Sequence, residues 1–154
     1  MKYRNTFLRL ASQLYEEGKE DQAIAVLDKS LEELPLSQIA VDNSMLDYIP
    51  LYYALGATDK ANHLLDQLAT DNYQMLKYIH SLSPKFANTP FIRQEERMSF
   101  NVIQMLLDYA MQGGQRDLAM EIKNKVESIY NPTLIRPQKT EPHMSDTAKT
   151  IELE

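Results

Sequence analysis

Asp59, His63 and Asp66 lie four and three residues apart, a spacing that sets side chains on one face of a helix. Two carboxylates and an imidazole are metal-ligand types. A held metal also needs outer groups that orient the ligands, and the neighbouring sequence supplies none. The triplet reads as a solvated helix face, and no metal site is expected. Glu16-Glu17 and Glu95-Glu96 are paired acids. Glycoside hydrolysis needs two carboxylates facing each other across a cleft, whereas adjacent helical residues point apart. No Gly-x-Ser-x-Gly elbow, phosphate loop, dinucleotide fingerprint or His-Glu-x-x-His occurs, and Gly113-Gly114 lacks a phosphate-loop context. No catalytic residue and no cofactor is expected. His80, near a helix end, is expected to meet terminal carbonyls; His143 lies in the last stretch of the chain.

Composition narrows the classes further. The chain has 154 residues, 44% apolar, four glycines and no cysteine. That length carries one domain with a core, and scarce glycine favours helices over turn-rich β architectures. A net charge of −6 opposes nucleic-acid binding, which needs a basic surface against phosphate. Without cysteine there is no disulfide, thiolate metal site or cysteine nucleophile. No apolar run approaches the ~20 residues of a membrane span. The opening stretch, MKYRNTFLRLASQLYEEG, has charge inside its apolar part, unlike a signal peptide. A soluble chain without membrane insertion is the expectation.

The elements that would position any site are helices. Phe7, Leu10, Ala11 and Leu14 share one helical face over residues 5–17, and Gly18 ends that helix. Ala23, Leu27, Leu31 and Leu34 form a second stripe, closed by Pro35. The short connection makes the two antiparallel neighbours. Met45, Tyr48, Ile49 and Tyr52 then repeat the pattern up to Gly56. Thr58 is read as the N-cap of a helix carrying Ala61, Leu64, Leu65 and Leu68. Gly18 and Gly56 are 38 residues apart, each followed five residues later by alanine. Such a period marks a helical-hairpin repeat.

Residues 70–83 extend that helix or form another after a kink near Asp71-Asn72. SPKFANTP is a loop between two prolines. Thr89-Pro90 opens a long helix carrying Phe100, Ile103, Leu106, Leu107 and Ala110. Gly113-Gly114 turns into a last helix over 116–130, with Ala119, Ile122, Val126 and Ile129 inward. Met45, Met75 and Met105 are assigned to the core. Residues 131–154, with three prolines and no helical period, are expected to be a disordered tail. The expected organisation is all-α, with about six or seven helices. Residues 1–130 form the helical domain, in hairpins at about 4–35, 42–82 and 91–130.

Phe7-x-x-Leu10-Ala11-x-x-Leu14, Gly18, Ala23-x-x-x-Leu27, Ser30 and Pro35 together resemble the tetratricopeptide repeat. Met45, Tyr48, Tyr52, Gly56, Ala61 and Leu65 keep its phase. Ile49 stands where a small residue is expected, and Pro50 falls inside the helix, where it should kink it. The third hairpin keeps the Gly114–Ala119 spacing but has Lys123 at an apolar position, so it matches poorly. The resemblance implies a right-handed array of antiparallel hairpins whose concave face binds a peptide. It would place Asn5, Leu8, Ser12, Tyr15 and Glu16, then Asn43, Leu46, Tyr53 and Ala54, on that face. Tyrosine gives contact area at low entropic cost; the competing reading is that Tyr15 and Tyr53 pack against the neighbouring hairpin. Leu8, Ser12, Leu46 and Pro50 replace the lysine/asparagine clamp that some members use on carboxylate-ended peptides.

The layout also resembles the soluble C-terminal region of a bacterial multi-spanning membrane family similar to protein O-mannosyltransferases. The cues are FLRLASQLYEEGKEDQAIAVLDKSLEELP, LYYALGATDKAN and LKYIHSLSPKF. This implies a periplasmic location as part of such a protein, and a cytoplasmic one otherwise. Two functions follow as expectations: a non-enzymatic scaffold binding a peptide or protein segment, or an accessory domain that helps a membrane glycosyltransferase handle its acceptor. A monomer is expected, with 116–130 capping the array.

Overall fold

A computed structural model describes residues 2–33 and 45–130 of the chain. Pro35, Asn43, His143 and the expected tail at 131–154 lie outside the described residues. Within them the protein is all-α, with seven helices in the order α1 (Lys2–Glu16), α2 (Glu20–Glu33), α3 (Tyr48–Ala54), α4 (Thr58–Ser81), α5 (Pro84–Ala87), α6 (Pro90–Gln112) and α7 (Arg116–Tyr130). Successive helices pair as α1/α2, α3/α4 and α6/α7, and α4 also packs along α6 and against α7.

One turn design joins all three pairs. Gly18, Gly56 and Gly114 have φ of 73°, 69° and 75°, a region that costs glycine little. The amide of each glycine donates to the carbonyl three residues back: Tyr15, Tyr53 and Met111, at 2.9, 3.1 and 3.1 Å. The next amide donates five residues back, to Leu14, Tyr52 and Ala110, at 2.9, 2.9 and 2.7 Å. This is the Schellman closure of a helix end. The alanine five residues after each glycine (Ala23, Ala61, Ala119) is buried, and its small size permits the close approach of the paired helices. The third hairpin thus shares the turn of the first two. Lys123 is exposed and pairs with Glu127 at 3.7 Å.

Several elements differ from their sequence-based expectation. α3 is only 7 residues long, so Pro50 is its third residue. In a first turn the missing amide has no intrahelical partner to lose, and the expected kink has no cause. α4 runs unbroken for 24 residues; Asn72 donates its side-chain amide to Leu68 O at 2.8 Å, and the helix continues through it. Thr58 is the first residue of α4, with Ala57 at the cap position. Thr89 does precede Pro90, but its hydroxyl donates to Phe86 O at 2.9 Å and leaves the helix start uncapped by a side chain. The loop between prolines contains α5.

The core is continuous through all three hairpins. Ala11, Ala23, Leu27, Tyr52, Ala61 and Leu65 are fully buried, as are Leu76, Ile103 and Leu106. Phe7 and Leu14 are half-buried. Leu10 is 48% exposed; among the described helices, α1 packs closely on α2. Ile49, large where a small residue was expected, is fully buried, whereas Met75 and Met105 are exposed and do not fill the core. Among the described residues, no helix is long and apolar enough to cross a membrane.

Candidate interaction groove

Two shallow depressions contain most of the residues assigned to the binding face. The first, of about 720 Å³, follows α1 and is lined by Leu8, Ser12 and Glu16 together with Thr6, Arg9, Leu10 and Gln13. Asn5 and Tyr15 are exposed on the same helix. The second, of about 400 Å³, lies where α3 meets α6 and is lined by Pro50, Tyr53, Ala54, Thr58, Tyr109, Gln112 and Gly113. Leu46 is a correction: it is only 3% exposed and belongs to the core cluster, because the turn at 45–47 tucks inward ahead of α3.

Tyr53 combines packing with partial exposure. A Cβ built on Gly113 would sit 2.7 Å from its ring, so the ring rests on the glycine where no side chain would fit. Its hydroxyl donates to Asn62 Oδ1 at 2.7 Å. Asn62 Nδ2 donates to Gln115 Oε1 at 3.0 Å, and Gln115 Nε2 donates to Gly113 O at 3.0 Å. The chain of bonds ties α3, α4 and the α6–α7 turn together. Burial raises the Tyr53 hydroxyl above its ordinary pKa. Tyr109, across the depression, is raised as well, first by burial and then by the charges of Asp47 and Asp108. This floor therefore presents aromatic rings and amides beside negative charge.

Behind the depression lies a polar seam that sequence spacing did not reveal. Tyr48 donates its hydroxyl to Arg4 O at 3.1 Å and pairs with Ser30 Oγ at 2.7 Å; since the tyrosine proton is committed, Ser30 donates. Arg4, Ser30 and Tyr48 are all buried. One turn later, Tyr52 donates to Asp28 Oδ1 at 2.9 Å, and Asp28 also meets Lys60. Burial, then the Asp28 hydrogen bond and charge, push the Tyr52 hydroxyl far above its ordinary value. The residues at 48 and 52 looked like apolar stripe positions; their hydroxyls fix where α3 sits on α1 and α2.

The other chemistry-bearing residues stay apart. Asp59, His63 and Asp66 are exposed, and no group of three or more acidic or histidine side chains among the described residues could hold a metal ion. His80 faces a side chain: its Nε2 is 2.9 Å from Glu96 Oε1, and its ring meets Tyr130 edge-on at 4.7 Å. No protein-family model matches the chain, and no curated protein and no solved structure matches it either.

Proposed function

We propose that the chain is a non-enzymatic, tetratricopeptide-like hairpin array that binds an extended peptide or partner segment across α1, α3 and α6. The observation that supports this most is the α3–α6 depression. Tyr53 and Ala54 line it beside Pro50, and Tyr53 and Ala54 are α3 positions that the repeat resemblance assigns to a concave binding face. The repeated Gly-Ala turn supports the same reading, because it orients each hairpin's first helix alike. A segment seated there would lie over rings already held by packing, so little entropy is lost in ordering them. Asp47 and Asp108 beside Tyr109 favour basic side chains in such a segment.

A displayed random-peptide library, followed by calorimetry on enriched peptides, tests this. Tyr53→Ala is a poor probe, since it also removes the ring from Gly113 and the partner of Asn62. Ala54 and Gln112 are exposed and leave the fold alone. Ala54→Lys and Gln112→Ala are expected to weaken binding by about fivefold or more, and Tyr15→Ala does the same if the peptide reaches α1. Enriched peptides that bind all three variants like the parent protein overturn the reading.

A further inference from the structure

The far end of the molecule displays two largely exposed aromatic side chains. There α5 links the C-terminus of α4 to the N-terminus of α6, and among the helices it packs appreciably on α6 alone. Phe86 is 59% exposed and Phe91 68%. Loose structure does not explain this, because the connection is tightly bonded. The Phe86 amide donates to Ser83 O at 2.9 Å, Asn88 Nδ2 to Pro84 O at 2.8 Å, and Arg93 Nη2 to Asn88 Oδ1 at 2.8 Å. An ordered apex holds two phenylalanines in water.

Charge at this end opposes that of the whole. The chain carries −6, yet residues 77–97 hold Lys77, Lys85, Arg93 and Arg97 against only Glu95 and Glu96. Glu96 is engaged by His80 at 2.9 Å. Arg93 and Arg97, one helical turn apart, line an open cleft of about 900 Å³ beside α5, together with His80, Asn88 and the His80-paired Glu96.

We propose that this apex docks on an anionic bilayer surface. Phe86 and Phe91 enter the boundary between headgroups and acyl chains, while Arg93 and Arg97 take lipid phosphate. Exposed rings on an apex that also carries cations have the composition of an interfacial anchor, and guanidinium suits phosphate. A protein partner fits less well. Two partly covered phenylalanines offer less than roughly 300–500 Å² of apolar area, a small apolar centre for a protein interface of ~800 Å² per side. A bilayer needs no matching patch, because charge attraction adds to the buried apolar area. This inference does not rest on the peptide groove, which lies at the opposite end of α6.

Co-sedimentation with phosphatidylcholine vesicles, with and without phosphatidylserine, tests it. Binding is expected on the serine-containing vesicles alone and should weaken with added salt. Arg93→Ala and Arg97→Ala should each weaken it about fivefold, and Phe86→Ser with Phe91→Ser by roughly tenfold or more. Met120→Ser, at an exposed site on α7, should change nothing. Three results would each overturn the proposal: no binding, equal binding to both vesicle types, or indifference to the phenylalanine pair. So would a dimer in light scattering that the phenylalanine pair dissolves, which would assign the apex to a second copy of the chain.

Discussion

Between the first and second hairpins, buried tyrosine hydroxyls cross the gap; between the second and third, aliphatic side chains form the bulk of the contact, beside the Asn62–Gln115 hydrogen bond. In the first seam, Tyr48 reaches Ser30 and the Arg4 carbonyl, and Tyr52 reaches Asp28. Among the described residues, no helix pair there packs as closely as α4 and α6. In the second seam, α4 and α6 run side by side with Leu68, Leu76, Ile103 and Leu106 fully buried. Apolar contact is non-directional and scales with area. A buried hydrogen bond contributes modestly when made but is costly when broken on one side. The second seam therefore carries more of the stability, and the first fixes position more narrowly.

Leu106→Ala gives the largest effect of the variants considered. It empties space in the α4–α6 seam and should lower unfolding free energy by about 2–5 kcal/mol. Urea denaturation measures this, with the midpoint falling. A loss below about 1 kcal/mol would mean that the two seams do not differ in this way.

Tyr48→Phe keeps the ring and removes only the hydroxyl. It should lower stability by roughly 1–3 kcal/mol, because Ser30 loses its acceptor in a buried place. The sharper test is the double variant with Ser30→Ala. Its loss should fall short of the sum of the single losses by about 0.5 kcal/mol or more. A cycle with no coupling would make Tyr48 a packing residue like those of the other seam.

The sequence exposed one seam far better than the other. Aliphatic stripes at helical spacing indicated which faces of α4, α6 and α7 meet, and the glycine–alanine spacing marked all three turns. Tyr48 and Tyr52 were visible as stripe positions, but their partners lie 18 to 44 residues away. Spacing along a chain does not encode such distant pairs. Leu46 was misassigned because a surface position in a helix becomes a core position when that helix starts two residues later. Met75 and Met105 sit at the edges of their stripes, and periodicity alone does not separate an edge from a centre. The ring of Tyr53 on Gly113 left a faint signal, a second glycine where one suffices for the turn.

Tyr52 lets pH separate the seams. Its hydroxyl pKa is raised in the folded protein from an ordinary 10.0. The folded state thus holds this proton more tightly than the unfolded one. The resulting stability is fully present below about pH 10 and is lost as pH rises beyond it. Denaturant midpoints should therefore drop on the alkaline side, with the raised Tyr53 and Tyr109 contributing, and Tyr52→Phe should make that drop shallower. Leu106→Ala should shift the whole curve down without changing its alkaline slope. An equal slope in the parent and Tyr52→Phe would remove Tyr52 as its source.

The smallest effect belongs to the edge of the polar seam, where Lys60 meets Asp28. The lysine side chain is 48% exposed, so water screens the pair and its ordering entropy offsets much of the attraction. Lys60→Met should change stability by no more than about 1 kcal/mol, and added salt should shrink even that. Tyr52 remains bonded to Asp28 in this variant, so the alkaline slope should persist. A larger loss from Lys60→Met than from Tyr48→Phe would reverse the ranking, placing the hold on the first hairpin in a surface charge pair and not in the buried hydroxyls.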